Sequence, residues 1–259
     1  MMYLETDDFR QIFVITKNEM TKFIRGKKLL VYVILAAAVF SLLAFLPYAL
    51  GSQWNSMMVF LVAHFAFMSI LVVLAVTLFS SSTYVSEFEE RTALILFTRP
   101  VKKTTIYVGK FLGCFIMEAV VFIGYYAAMS VAFIFLSDQP TIGQYLTSLA
   151  SLMIYLFAAS GVAAIFSVTM KKAGTAAIMT FVTILLLISI VSGVISTATG
   201  VTPWYMLDQA SNAIFASIPG VASYMNITDF DMVKGIITMF VWGVASIILS
   251  WFLFTKKEM

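Results

Sequence analysis

Few side chains in this sequence could do chemistry, and their spacing excludes most of what they might do. There is one histidine, His64, and one cysteine, Cys114. A lone histidine cannot supply the His-Glu-x-x-His pair of a zinc hydrolase, so no metal site is expected. His64 has no carboxylate in its own apolar run, which leaves a serine nucleophile without a readable base. No Gly-x-x-x-x-Gly-Lys-Ser/Thr loop occurs, and Gly109-Lys110 lacks the preceding glycine at the required distance. The chain is therefore expected to be no enzyme and to bind no cofactor of its own. Two features remain. Glu118 is an ionisable residue inside an apolar run, which marks a functional candidate, or else it faces the membrane edge or pairs with Lys110. His64 is a second intramembrane polar candidate, or a satisfied packing residue. The other feature is the dense charged stretch 86–92, with Glu87, Glu89, Glu90 and Arg91.

The elements that must position these residues follow from composition. Of 259 residues, 61% are apolar and 11% are charged, and the mean hydropathy is +0.99. A water-soluble domain carries about 25% charged residues, so the bilayer is the solvent that fits. Spanning takes about 20 apolar residues per helix. The charge-poor runs 29–50, 57–80, 109–136, 142–170, 174–197 and 233–254 predict an all-α protein of six transmembrane helices in one domain, 1–259. The runs do not alternate as barrel strands do. Fifteen of the 16 Lys and Arg residues fall in the N-terminal segment, the two connections after spans two and four, and the C-terminus. Asp138, Asp208, Asp229 and Asp231 lie in the other connections, with only Lys234. Both termini are expected in the cytoplasm. The first apolar run lacks a small-x-small cleavage pattern, so no cleavable signal peptide is expected.

Three longer connections have distinct characters. Residues 9–25 place Phe9, Ile12, Phe13, Met20, Phe23 and Ile24 near one stripe, predicting an amphipathic interfacial helix. The plainer reading is a basic flank that fixes topology. In the segment 81–108, Ser86 and Glu89 have capping-box spacing, Phe88, Thr92 and Ile95 share a face, and Pro100 stops the helix. By periodicity alone this could be an ordinary surface helix. The outer piece, 198–232, predicts short interfacial or re-entrant helices with Trp204 as an anchor. Asn226-Ile227-Thr228 is a glycosylation sequon on that side. Gly109-x-x-x-Gly113 and Gly124-x-x-x-Ala128 could be close helix contacts.

The stretch Ser86-Glu-Phe-Glu-Glu-Arg-Thr-Ala-Leu-Ile-Leu-Phe-Thr-Arg-Pro-Val-Lys, followed by Gly109-Lys110-Phe111-Leu112-Gly113, resembles the signature of ABC-2-type transporter permeases. That signature reads Glu-Arg-Gly-Thr, an apolar run, Pro-Val-Ser/Lys-Arg and Gly-Lys-Phe. Here the glycine before the threonine is missing, since Arg91 abuts Thr92. The resemblance implies a non-catalytic membrane subunit of an ATP-driven transporter, by analogy an exporter in the plasma membrane. It also implies a second permease subunit, identical or homologous, and a separate ATPase that supplies ATP and Mg. In that reading Glu87, Phe88, Glu89, Glu90, Arg91 and Thr92 form a coupling helix that contacts the ATPase, while Pro100, Gly109 and Lys110 belong to the motif. No nucleic-acid partner is expected. A secondary carrier or channel is disfavoured by the single intramembrane acid. A non-transport assembly protein is separated from the permease only by the coupling motif.

Overall fold

The computed structural model describes residues 2–49, 57–89, 101–133 and 142–256. Glu90, Arg91, Thr92 and Pro100 lie outside the described residues, as does the side chain of Phe88. The described part is all-helical, and six of its helices are long and apolar enough to cross a membrane.

Helix α1 (Met2–Arg25) turns at Gly26-Lys27 into α2 (Lys28–Ala49), the first span. The second span, α3 (Met57–Leu78), does not stop where its apolar run ends. Phe79 and Tyr84 keep right-handed helical dihedrals, so α4 (Ser80–Thr83) and α5 (Val85–Glu89) extend the same rod. Ser86 therefore lies inside a helix, and its hydroxyl meets Lys22 and the Thr83 carbonyl instead of opening a new helix as a cap. The third span, α6 (Lys103–Phe133), begins six residues before the apolar run predicts. Thr105 and Lys110 are buried in its first turns, where α1 packs on it.

Helices α7 (Ile142–Thr169) and α8 (Ala173–Val182) follow, and a π-helical turn (Thr183–Leu187) joins α8 to α9 (Ile188–Thr199) within the fifth span. Three short helices, α10 (Leu207–Ala210), α11 (Ala213–Ala216) and α12 (Pro219–Tyr224), bury Leu207, Ile214, Phe215 and Val221 against the bundle. The sixth span is α13 (Met232–Lys256), capped by Asp231, whose Oδ1 accepts from the Val233 and Lys234 amides.

Small residues set the closest helix pairs, as expected where no water drives association. Helices α7 and α13 meet at Gly161 and Gly243, where a Cβ on Gly161 would stand 3.1 Å from the Gly243 carbonyl oxygen. Gly109 and Gly113 do the same for α1 on α6: a Cβ on Gly109 would sit 2.8 Å from the Ile15 Cβ, and one on Gly113 would sit 2.7 Å from the Glu19 Cβ. Gly124 has open space where its Cβ would be, so the Gly124-x-x-x-Ala128 pattern is not a close contact within the chain. The amphipathic stripe of α1 is likewise divided. Thr16, Glu19 and Phe23 are buried, while Phe9, Phe13 and Ile24 are exposed. The second, third and fourth spans form the core, and the first and fifth are mostly bare.

Candidate coupling site

The functional candidates converge where α5 leaves the bundle. The run 80–87 carries mostly hydroxyls and charges, and most of them find a partner on another helix, while Ser81 turns back to the Thr77 carbonyl. Ser80 donates to Glu118 Oε1 on α6 (2.7 Å), and Ser160 of α7 donates to Glu118 Oε2 (2.6 Å). Lys28, at the start of α2, donates to Ser82 (2.7 Å). Thr83 pairs with Cys114 of α6. The Ser167 hydroxyl of α7 accepts from the backbone amides of Tyr84 (2.9 Å) and Val85 (3.3 Å). These bonds tie α3–α5 to α2, α6 and α7 before the charged segment begins.

Glu118 is wholly buried, and serine hydroxyls occupy both of its oxygens. It neither faces the membrane edge nor pairs with Lys110, and this corrects the plainer sequence reading. Lys110 lies one helical turn nearer the α1 end than Cys114 and is engaged elsewhere. Its ammonium, 3% exposed, contacts the Glu19 carboxylate of α1 and stands 2.9 Å from Glu87 Oε1. Lys22 of α1 completes the group at 3.3 Å from the same Glu87 oxygen and donates to Ser86 (3.1 Å). Two acids and two bases from three elements thus neutralise one another, with Lys110 and Glu19 buried, Glu87 partly so and Lys22 open to solvent. Removing water from such charges costs several kcal/mol per ion, so they persist only as a matched set. Sequence reasoning picked out Lys110 and Glu87 but missed Glu19. Its place one turn beyond Thr16, on the stripe that includes Ile12 and Ile15, was the available signal.

Glu89 is exposed, and its Oε2 accepts from the amide of Ala173, the first residue of α8 (2.9 Å). A carboxylate there offsets the unpaired amides and the positive end of that helix. Glu87 and Glu89 therefore anchor the segment to α1, α6 and α8. Glu90, Arg91, Thr92 and Pro100 lie beyond it, outside the described residues.

The remaining candidates lie elsewhere. His64 is fully buried in α3, where Nδ1 donates to the Phe60 carbonyl (2.8 Å) and the ring packs against Phe40. It forms no cluster with other metal-ligating side chains among the described residues. Asn226 is exposed in the turn after α12, with a left-handed φ of 56° that asparagine tolerates better than most residues.

An all-α bundle with six candidate spans, in which a charged segment leaves the second span and is fastened to five neighbouring helices, defines a multi-pass membrane protein. The sequence profile of the ABC-2 family transporter proteins matches residues 13–259, and the chain belongs to that family. No individually curated protein matches it.

Proposed function

We propose that this chain is the permease subunit of an ATP-driven exporter, that it forms the pathway with a second permease subunit, and that it takes its energy from a separate ATPase. The observation that carries the reading is the anchoring of the segment 80–89. Any displacement of the coupling segment beyond Glu89 acts on α1 and α6 through Glu87, on α8 through Glu89, and on α7 through Ser167 and Glu118. Phe88, Glu90, Arg91 and Thr92 then contact the ATPase, with the exposed Glu89 at the edge of that surface. ATP and Mg are held by the partner, and this chain contributes no catalytic group.

The segregation of Lys and Arg supports a cytoplasmic position for both termini and the coupling segment, and the plasma membrane is the location we infer. The bare faces of the first and fifth spans are where a second permease subunit, identical or homologous, would pack. The closed-in Glu118 gives little support to an ion-coupled carrier, since it is wholly buried and serine hydroxyls engage both of its oxygens.

Affinity purification of the detergent-solubilised protein tests this. The wild type is expected to bring down a nucleotide-binding ATPase, and Glu90→Ala/Arg91→Ala to lose it. Recovery of the wild type without any such ATPase, after crosslinking as before it, overturns the reading.

A further inference from the structure

The open position at Gly124 belongs to a groove between α2 and α6. Leu29, Val33, Phe40 and Ser41 line it from α2, and Val120, Gly124, Tyr125 and Ala128 from α6, around a cavity of about 420 Å³. Its rim is lipid-facing, with Val33 47% and Val120 54% exposed. At one end it closes on the edge-to-face pair Phe40 and Tyr125, whose ring centroids are 5.6 Å apart. At the other end Leu29 lies in the first turn of α2, just after the turn that joins α1 to α2.

Its dimensions select the occupant. Leu29 to Ser41 is about 18 Å along a helix. One leaflet of hydrocarbon is about 15 Å, half of the bilayer core. Spread over that length, the cavity has a cross-section of about 23 Å². A helix with its side chains needs about 80 Å² or more. The groove thus cannot take in a whole helix, and its section suits a single hydrocarbon chain.

Charge selects the headgroup. Arg25 and Lys27 flank the turn at the mouth and are exposed, and neither side chain is hydrogen-bonded or ion-paired among the described residues. The nearby acids Glu19 and Glu87 are already taken by Lys110 and Lys22. Lys27 holds a left-handed φ of 59°, a conformation that a lysine adopts rarely.

We propose that this groove binds one anionic phospholipid of the leaflet on the α1 side. One acyl chain lies between α2 and α6 from Leu29 to Ser41, and Arg25 and Lys27 hold the phosphate. The site joins a lipid to the hinge between α1 and the first span. It does not depend on an ATPase partner.

The test is photolabelling of the purified full chain in phosphatidylcholine vesicles doped with phosphatidylglycerol carrying a mid-chain diazirine. Adducts are mapped by mass spectrometry. The wild type is expected to be labelled on α2 and α6 along the groove. Gly124→Leu, whose Cβ meets no atom within 4 Å, is expected to lose those adducts while keeping labels on the bare fifth span. Arg25→Gln/Lys27→Gln, two exposed changes that leave the core intact, is expected to reduce groove labelling about tenfold. Equal groove labelling by a phosphatidylcholine diazirine probe overturns the headgroup assignment. Unchanged groove labelling in Gly124→Leu, or linkage of the groove residues to a second copy of the chain, overturns the site.

Discussion

Lys110 sits where a single charge decides whether a junction holds. With Glu19 and Glu87 it forms a compact buried set, and loss of the ammonium would leave two carboxylates facing each other with only Lys22 between them and water. Breaking a buried pair costs about 3–5 kcal/mol. Lys110→Met is therefore expected to lower stability by about that amount in detergent unfolding, and Glu19→Gln in the same chain to restore part of it. Glu118 behaves differently because its partners are neutral. In Glu118→Gln the amide oxygen can accept from Ser80. The amide nitrogen can donate to Ser160, whose own proton goes to the Leu156 carbonyl (2.7 Å). The change is expected to cost within about 1 kcal/mol. Glu118→Ala strands Ser80 beside a cavity and is expected to cost about 2–4 kcal/mol. A Glu118→Gln loss as large as the alanine loss would show that charge, and not hydrogen bonding, holds these spans.

At the scale of elements, the closest helix approaches depend on glycine where the structure is tight and not where it is open. Gly113→Leu collides with the Glu19 stem and is expected to detach α1 from α6, read as new proteolytic cleavage within residues 8–25. Gly124→Leu is expected to leave that protection unchanged. The last span offers a pH test. The Asp231 carboxyl is held below its usual value, chiefly by the Lys234 backbone amide and then by the Lys234 side chain. A depressed carboxylate pKa gives stability that is complete above the unfolded value, near 3.9, and is lost as pH falls through the lowered native value. The wild type should thus lose melting temperature below about pH 4 more steeply than Asp231→Asn, which keeps a cap acceptor without a proton to gain. Parallel pH profiles would remove the cap from the account.

The spans themselves were legible because apolar length is a one-dimensional signal. The expected 29–50, 142–170 and 233–254 lie within two residues of Lys28–Ala49, Ile142–Thr169 and Met232–Lys256. What failed was the end of the second span and the start of the third. Polar residues in 81–108 read as a connection, yet Ser82, Thr83 and Thr105 are buried, Ser82 and Thr83 against Lys28 and Cys114 of other spans. Such partners are set by tertiary packing and leave no local period. Gly109 and Gly113 could be read as a contact motif, but the sequence could not say that their partner was α1, nor that Gly124 opened a groove instead.

For the whole molecule, the proposed function has the segment leaving the second span meet an ATPase on the face that carries the termini. Family membership supports this reading, and the anchoring of residues 80–89 gives it a mechanical route. The most direct measurement places a photo-crosslinking amino acid at position 91 and, separately, at position 234 in the full chain within native membranes. The expected result is an adduct at 91 whose partner is identified by mass spectrometry as an ATPase and labels with azido-ATP, with no such adduct at 234. An ATPase captured at 234, or none at 91 in membranes where the ATPase is present, would contradict the account.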